Sequence, residues 1–213
     1  MKKTLVSVGV ISVMMVGMGS ALAAGMSPEL TVKGQMAVPS CGVTIANEGV
    51  FDLGKISNGL IRPNHATELS ASAGAVKVDC EAETFLNFTV VDNREGTAST
   101  ANTTNFGLGN VNGSGKLGYY RINLLSASVD GKASSVFSAV KGSSSFTALS
   151  SVYVDKNKVT GWAKGTSVQS SGKKFAAVMQ VEPMLASSAS MGGPITDNVK
   201  LDGSATLNFA YGI

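Results

Sequence analysis

Two cysteines, one histidine and a few paired carboxylates are the residues of this chain able to do chemistry, and their spacing limits what that chemistry is. Cys41 and Cys80 are the only cysteines. They could form a disulfide, hold a metal or act as a redox pair. A metal site would need further ligands, yet neither cysteine has another nearby and His65 is the single histidine. His65 lies in a polar stretch beside Pro63 and Asn64. A Ser-His-Asp site would have to be assembled around it, and no G-x-S-x-G elbow is present. Gly113-Ser-Gly115-Lys-Leu-Gly118 fits G-x-G-x-x-G. That fingerprint needs a strand before it and a helix after it; here a polar loop precedes and a strand-like run follows. Glu81 with Glu83, or Asp92 with Glu95, would serve glycoside hydrolysis only across a cleft, so surface charge is the simpler reading. Asp197 and Asp202 are too dispersed for a calcium loop. Trp162, Tyr119 and Tyr120 could make an aromatic platform for sugar, although aromatics in strands more often pack in a core. The expectation is a protein with no catalytic residue, no metal and no cofactor, and not an enzyme.

The first residues assign the compartment. Lys2 and Lys3 precede an apolar and small-residue run over 4–20, and Ala21-Leu22-Ala23 offers a small-x-small cleavage pattern. Residues 1–23 read as a secretory signal peptide. The run is too short for a spanning helix, so the mature chain is not membrane-embedded. Export to an oxidising compartment makes a Cys41–Cys80 disulfide the simplest use of the pair. The full chain carries 17 Lys plus Arg and 14 Asp plus Glu. Lys2 and Lys3 leave with the signal, which reduces the formal net charge from +3 to +1. With no basic stripe interleaved with aromatics, nucleic acid is not an expected partner.

About 190 residues follow the signal, enough for one domain with a substantial core. They are rich in Ser, Thr, Gly, Asn, Ala and Val, the palette of an extracellular all-β protein. Met26, Pro28, Leu30 and Val32 alternate with polar residues up to Gly34. Val76, Val78 and Cys80 alternate with Lys77 and Asp79, and a β-branched and aromatic run follows over 85–91. A short extended piece is expected at 50–53. Further strands are expected at 117–125, with Tyr120, Ile122 and Leu124 on one face, and at 134–140, 146–154 and 159–163. Asp130-Gly131 marks a tight turn, and Asp155-Lys156-Asn157 a hairpin tip. The strand with Phe175, Ala177, Met179 and Val181 should end at Pro183. Val199, Leu201, Ala205, Leu207, Phe209, Tyr211 and Ile213 share one parity. Many short strands separated by turns predict a β-sandwich.

The order of these pieces resembles the chaperone–usher pilin family. The residues that carry the likeness are Glu29-Leu-Thr-Val-Lys-Gly34, Cys41, the strand ending at Cys80, and the terminal Gly203-Ser-Ala-Thr-Leu-Asn-Phe-Ala-Tyr-Gly-Ile213. Phe51-Asp-Leu-Gly54, Val91-Asp-Asn-Arg94, Asn105-Phe-Gly-Leu-Gly109 and Lys116-Leu-Gly118 are similar to pieces of a less-studied branch, the beta-class fimbrial-like secreted proteins.

The resemblance implies an immunoglobulin-like sandwich over 35–213 that lacks its last strand, and an N-terminal extension over 24–34. In such a subunit Met26, Pro28, Leu30 and Val32 would be the donor-strand side chains. Ala205, Leu207, Phe209, Tyr211 and Ile213 would border the groove and face the chaperone. The implied partners are a periplasmic chaperone, an outer-membrane usher and other fimbrial subunits, joined by β-strand addition. The implied function is a structural subunit of an adhesive fimbrium on the cell surface, reached through the periplasm. The alternative from another class is a free-standing periplasmic β-sandwich binding module, with carbohydrate as a candidate ligand. A third is a secreted hydrolase.

Overall fold

The computed structural model describes residues 30–36 and 38–212. The expected signal segment 1–23, Met26, Pro28 and Ile213 lie outside the described residues. The chain divides into two units between Ala37 and Val38. In the first, Leu30 and Val32 are 89% and 87% exposed, and the described residues there belong to no strand.

The second unit is an all-β sandwich. Its strands are β1 (Cys41–Ile45), β2 (Thr67–Glu68), β3 (Ser72–Asp92), β4 (Phe106–Gly107), β5 (Asn110–Val111), β6 (Gly115–Lys116) and β7 (Gly118–Val129). There follow β8 (Lys132–Ala133), β9 (Ser135–Val140), β10 (Ser151–Tyr153), β11 (Lys158–Gly165), β12 (Val168–Gln169), β13 (Ser171–Leu185) and β14 (Ala205–Tyr211). The described pairings are antiparallel apart from one isolated bridge, Ala98 with Gly118.

One strand organises both layers. The runs 76–80 and 85–91, expected as separate strands, form the single 21-residue β3. Its first half pairs with β1 and β13; its second half pairs with β14 and β11. Between the halves Glu81, Ala82 and Glu83 are exposed where the strand passes from one layer to the other. The inward parity continues through this crossing, so Val76, Val78 and Cys80 and then Leu86, Phe88 and Val90 are all buried. They meet Tyr120, Ile122 and Leu124 of β7, Phe175, Ala177 and Met179 of β13 and Trp162 of β11 in one core. Trp162 packs edge-on against Phe88 and Phe175, with ring centroids 6.4 and 5.3 Å away. Its indole N–H donates to the carbonyl of Ala176 at 3.0 Å, which satisfies the one polar atom the ring carries.

Three expectations are corrected. Strand β13 continues through Pro183, which pairs with Tyr120. Pro183 lies past the start of β3, whose first residue Ser72 is opposite Val181; its carbonyl accepts the Leu69 N–H at 3.0 Å, and the N–H it lacks forgoes only the reciprocal bond to that short flank. The expected strand 146–154 reduces to β10. The preceding loop instead lays Phe146 on Phe137, ring centroids 4.1 Å apart. This builds a second small core with Ala139, Val159 and Ala163 on the other face of that layer. Residues 50–53 form no strand, although Phe51 packs against the main core.

Candidate functional site

Strands β1 and β14 lie end to end along one flank of β3, and each pairs on one side only among the described residues. The backbone N–H of Glu81 donates to the carbonyl of Ser40 at 3.0 Å, and Gly212 N–H to that of Phe85 at 3.0 Å. The hydroxyl of Tyr211 donates to the carbonyl of Pro39. The first two bonds continue each strand's pairing with β3 toward the other, and the third links the start of β1 to the end of β14, so the two strands follow one another along the same open flank of β3.

The inner face of this edge is not closed. One strand inward, Val76, Val78, Phe88 and Val90 are buried. Their partners across the ladder are Ile45, Val43, Phe209 and Leu207. Ile45, Leu207 and Phe209 are only half-buried, and Val43 is 44% exposed. Ala205 is also half-buried, and Tyr211 is 45% exposed. The core is therefore sealed up to β3, and the inward apolar side chains of the two edge strands are left partly uncovered. Soluble proteins blunt such edges with charge, proline or a bulge. Cys41-Gly-Val-Thr-Ile45 and Ala205-Thr-Leu-Asn-Phe-Ala-Tyr211 contain no charged residue and no proline, and their registers with β3 run without a bulge.

Cys41 and Cys80 face each other across the β1–β3 ladder. They form a disulfide with Cα atoms 4.1 Å apart and an S–S distance of 2.08 Å. The bond pins the open edge where β1 approaches the end of β14.

The short motifs Val91-Asp-Asn-Arg94, Asn105-Phe-Gly-Leu-Gly109 and Lys116-Leu-Gly118 converge at the opposite end of β14. The buried Asp92 carboxylate accepts the backbone N–H of Arg94 and of Gly107, both at 2.9 Å. Lys156 Nζ lies 3.8 Å from it and donates to Glu95 at 2.9 Å and to the Asn105 carbonyl at 3.0 Å. Burial pushes the Tyr120 phenol above its ordinary pKa, and the Asp92 charge adds to the effect. The Asn93 amide donates to Ser204 Oγ at 2.9 Å and Thr206 Oγ1 at 3.1 Å. Arg94 Nε donates to Asp202 Oδ2 at 2.9 Å. This end therefore fixes where β14 begins. Asp92→Ala would orphan two backbone donors and uncover Lys156, which should cost about 3 kcal/mol. The midpoint of urea unfolding should fall accordingly, and an unchanged midpoint would remove the hub role. Asp92→Asn, which keeps the acceptor oxygen, should recover part of the loss.

The other chemistry-bearing residues are dispersed. His65 is exposed on a loop. Gly115 and Gly118 belong to β6 and β7 with no helix following. A Cβ on Gly115 would come 2.0 Å from the Met191 carbonyl oxygen, and one on Gly118 2.1 Å from that of Met184, so close backbone approach explains these glycines. Glu83 accepts Ser171 Oγ at 2.6 Å on the surface. The aromatic platform does not form, because Trp162 and Tyr120 are core residues. Among the described residues, no helix is long and apolar enough to cross a membrane.

The open edge escaped the sequence reading in one respect. The strand over 205–211 is expected from its parity and forms as β14, whereas Val43 and Ile45 of β1 carry no such signal. Five residues flanked by a proline and a Gly-containing turn give too short an alternation to separate an edge strand from a loop.

A family model described as "Protein of unknown function (DUF1120)" matches residues 30–114. That span includes both cysteines, β1 and β3, and stops before β14. Protein GltF of Escherichia coli (strain K12) is 27% identical over 110 residues, which is 49% of this chain and 43% of GltF. The alignment thus spans less than half the length of that relative, and the chain is similar to both over its matched part.

Proposed function

We propose that this chain is a structural subunit of a chaperone–usher fimbrium, exported to the periplasm and displayed on the cell surface. It polymerises there by donor-strand exchange. The observation that carries this reading is the uncharged, proline-free open edge of β1 and β14, with its half-buried Leu207, Phe209 and Ile45. A strand added along it would satisfy the outward N–H and C=O groups and pack its alternate side chains on the partly uncovered apolar ones. Leu30 and Val32, exposed and two residues apart, supply that alternation in the N-terminal segment. A neighbouring subunit would donate this segment after the chaperone's strand is withdrawn.

The test is periplasmic expression of the mature chain with and without the products of its neighbouring genes, a fimbrial chaperone among them. Expressed alone, the chain should be degraded or aggregate; with the chaperone it should accumulate as a one-to-one complex. A soluble, stable monomer in the absence of any partner would identify a complete module and overturn the proposal. A stable edge-to-edge homodimer would do the same.

A further inference from the structure

We infer that Asn112 and Gly113, at the tip of the β5–β6 hairpin, are a site of spontaneous deamidation, and that the reaction unpins the loop 187–194 from the core. Asn-Gly occurs twice in the chain, at 58–59 and at 112–113. Asparagine is thermolabile, most of all before glycine, whose backbone nitrogen no side chain shields. The two pairs differ in what holds that nitrogen. The Gly59 N–H donates to Ser57 Oγ at 3.2 Å. The Gly113 N–H has no acceptor among the described residues. Asn112 and Gly113 are both exposed. The hairpin has two residues in each strand and forms a small sheet of its own, so its tip can open without breaking the main ladders.

The side chain that reacts is also a pin. The Asn112 amide donates to the carbonyls of Met191, Gly193 and Pro194 at 3.1, 3.3 and 3.4 Å. The Lys116 N–H donates to the Ser190 carbonyl at 3.0 Å. Together they tie the loop to the hairpin. Met191 at its centre is fully buried in the main core. Two of the three amide contacts are longer than the usual hydrogen-bond range, so the side chain can leave them and turn toward Gly113.

The step needs no oxidant and no cofactor. The Gly113 nitrogen attacks Asn112 Cγ and gives up its proton to hydroxide. The bond from Cγ to the amide nitrogen breaks, and that nitrogen takes up a proton and leaves as ammonia. A cyclic imide with the main chain results. Water then adds to either imide carbonyl and opens the ring, to aspartate or to isoaspartate. In the net reaction one water is consumed and one ammonia released. Either product carries a carboxylate where the amide was, and a carboxylate donates nothing. The three loop carbonyls lose their donor and face a negative charge instead. Isoaspartate also lengthens the backbone by one methylene inside a tight hairpin. The consequence is a loop released from β6 and a Met191 open to solvent. None of this depends on the strand-addition reading.

The test is timed incubation of the mature chain, purified from the periplasm with its chaperone, in mildly acidic and mildly alkaline buffer. Peptide mass spectrometry reads the mass gain of an amide turned acid. The gain should appear at 112, ahead of 58, and faster in the alkaline buffer. Ser57→Ala, which frees the Gly59 N–H, should raise the rate at 58 toward that at 112. Asn112→Asp, the first of the two products, should lower the thermal midpoint by about 3 °C. It should also speed hydrogen exchange at Gly192 and Gly193, whose N–H groups donate within the loop. Asn112→Ser, which is neutral, should lower the midpoint less. No gain at 112 over a period in which the urea-unfolded chain reacts fully would overturn the site, as would a gain at 58 ahead of 112. An unaltered midpoint and unaltered exchange in Asn112→Asp would overturn the role of the amide as a pin.

Discussion

On the proposed donor-strand reading, Leu30→Asp or Val32→Asp should abolish fibre assembly while leaving the chaperone-bound subunit folded. Both side chains are exposed in the free chain, so a carboxylate there costs little before assembly. Once the segment is added to the open edge of a neighbour, the same position would face Phe209, Leu207 and the buried side chains of β3. A charge left unpaired in such a site costs about 3–5 kcal/mol, a factor of roughly a hundred to several thousand in the docking equilibrium. Lys33→Asp changes charge at a position of the opposite parity and should assemble nearly as well as the unaltered chain. The measurement is the ladder of denaturant-resistant multimers, together with electron microscopy of cells expressing the full assembly system. Persistence of fibres in both variants would show that this segment is not the donor. Loss of the subunit while the chaperone is present would show that Leu30 and Val32 belong to the fold's own core.

Much of the fold was legible because alternation survives tertiary packing. Val76, Val78 and Cys80, Tyr120, Ile122 and Leu124, and Phe175, Ala177 and Met179 were each assigned to one face, and each triplet is buried. The continuity of β3 was not legible. Glu81-Ala-Glu83 looks like the end of a strand, since sequence cannot distinguish a turn from a strand emerging into solvent as it changes layers. Phe146 was misassigned for a related reason. An isolated aromatic after Gly-Ser-Ser-Ser can be a strand residue or the plug of a loop, and here Ala139, Val159 and Ala163 provide the small surface it fills. At the candidate edge, Leu207 and Phe209 are visible through their parity, whereas Asp92 reads as surface charge and Asn93 only as part of a short motif. Their importance lies in partners far along the chain, Gly107, Ser204 and Thr206, and no local pattern reports such contacts.

Replacing both cysteines, Cys41→Ala with Cys80→Ala, should have the largest effect on the stability of the folded subunit. The bridge spans 39 residues, and the chain-entropy treatment assigns a loop of that length about 4 kcal/mol. That is a large share of the roughly 5–15 kcal/mol that typically separates folded from unfolded states. The location adds to the effect. Strand β1 is five residues long, pairs only with β3 among the described residues, and leaves Val43 and Ile45 partly uncovered. Released from Cys80, it would fray from the ladder and expose Val76 and Val78, enlarging the uncovered apolar edge. Urea unfolding of the chaperone-free subunit stabilised by a bound donor peptide should therefore show a lower midpoint for the double variant. The loss should exceed that of Asp92→Ala. Reductant should lower the midpoint of the unaltered chain toward that of the variant and leave the variant unmoved. On the proposed reading, donor binding should weaken as well, because β1 forms half of the open edge. A variant that unfolds at the unaltered midpoint would mean that the β1–β3 ladder holds without the bridge, and that the disulfide does not control the width of the open edge.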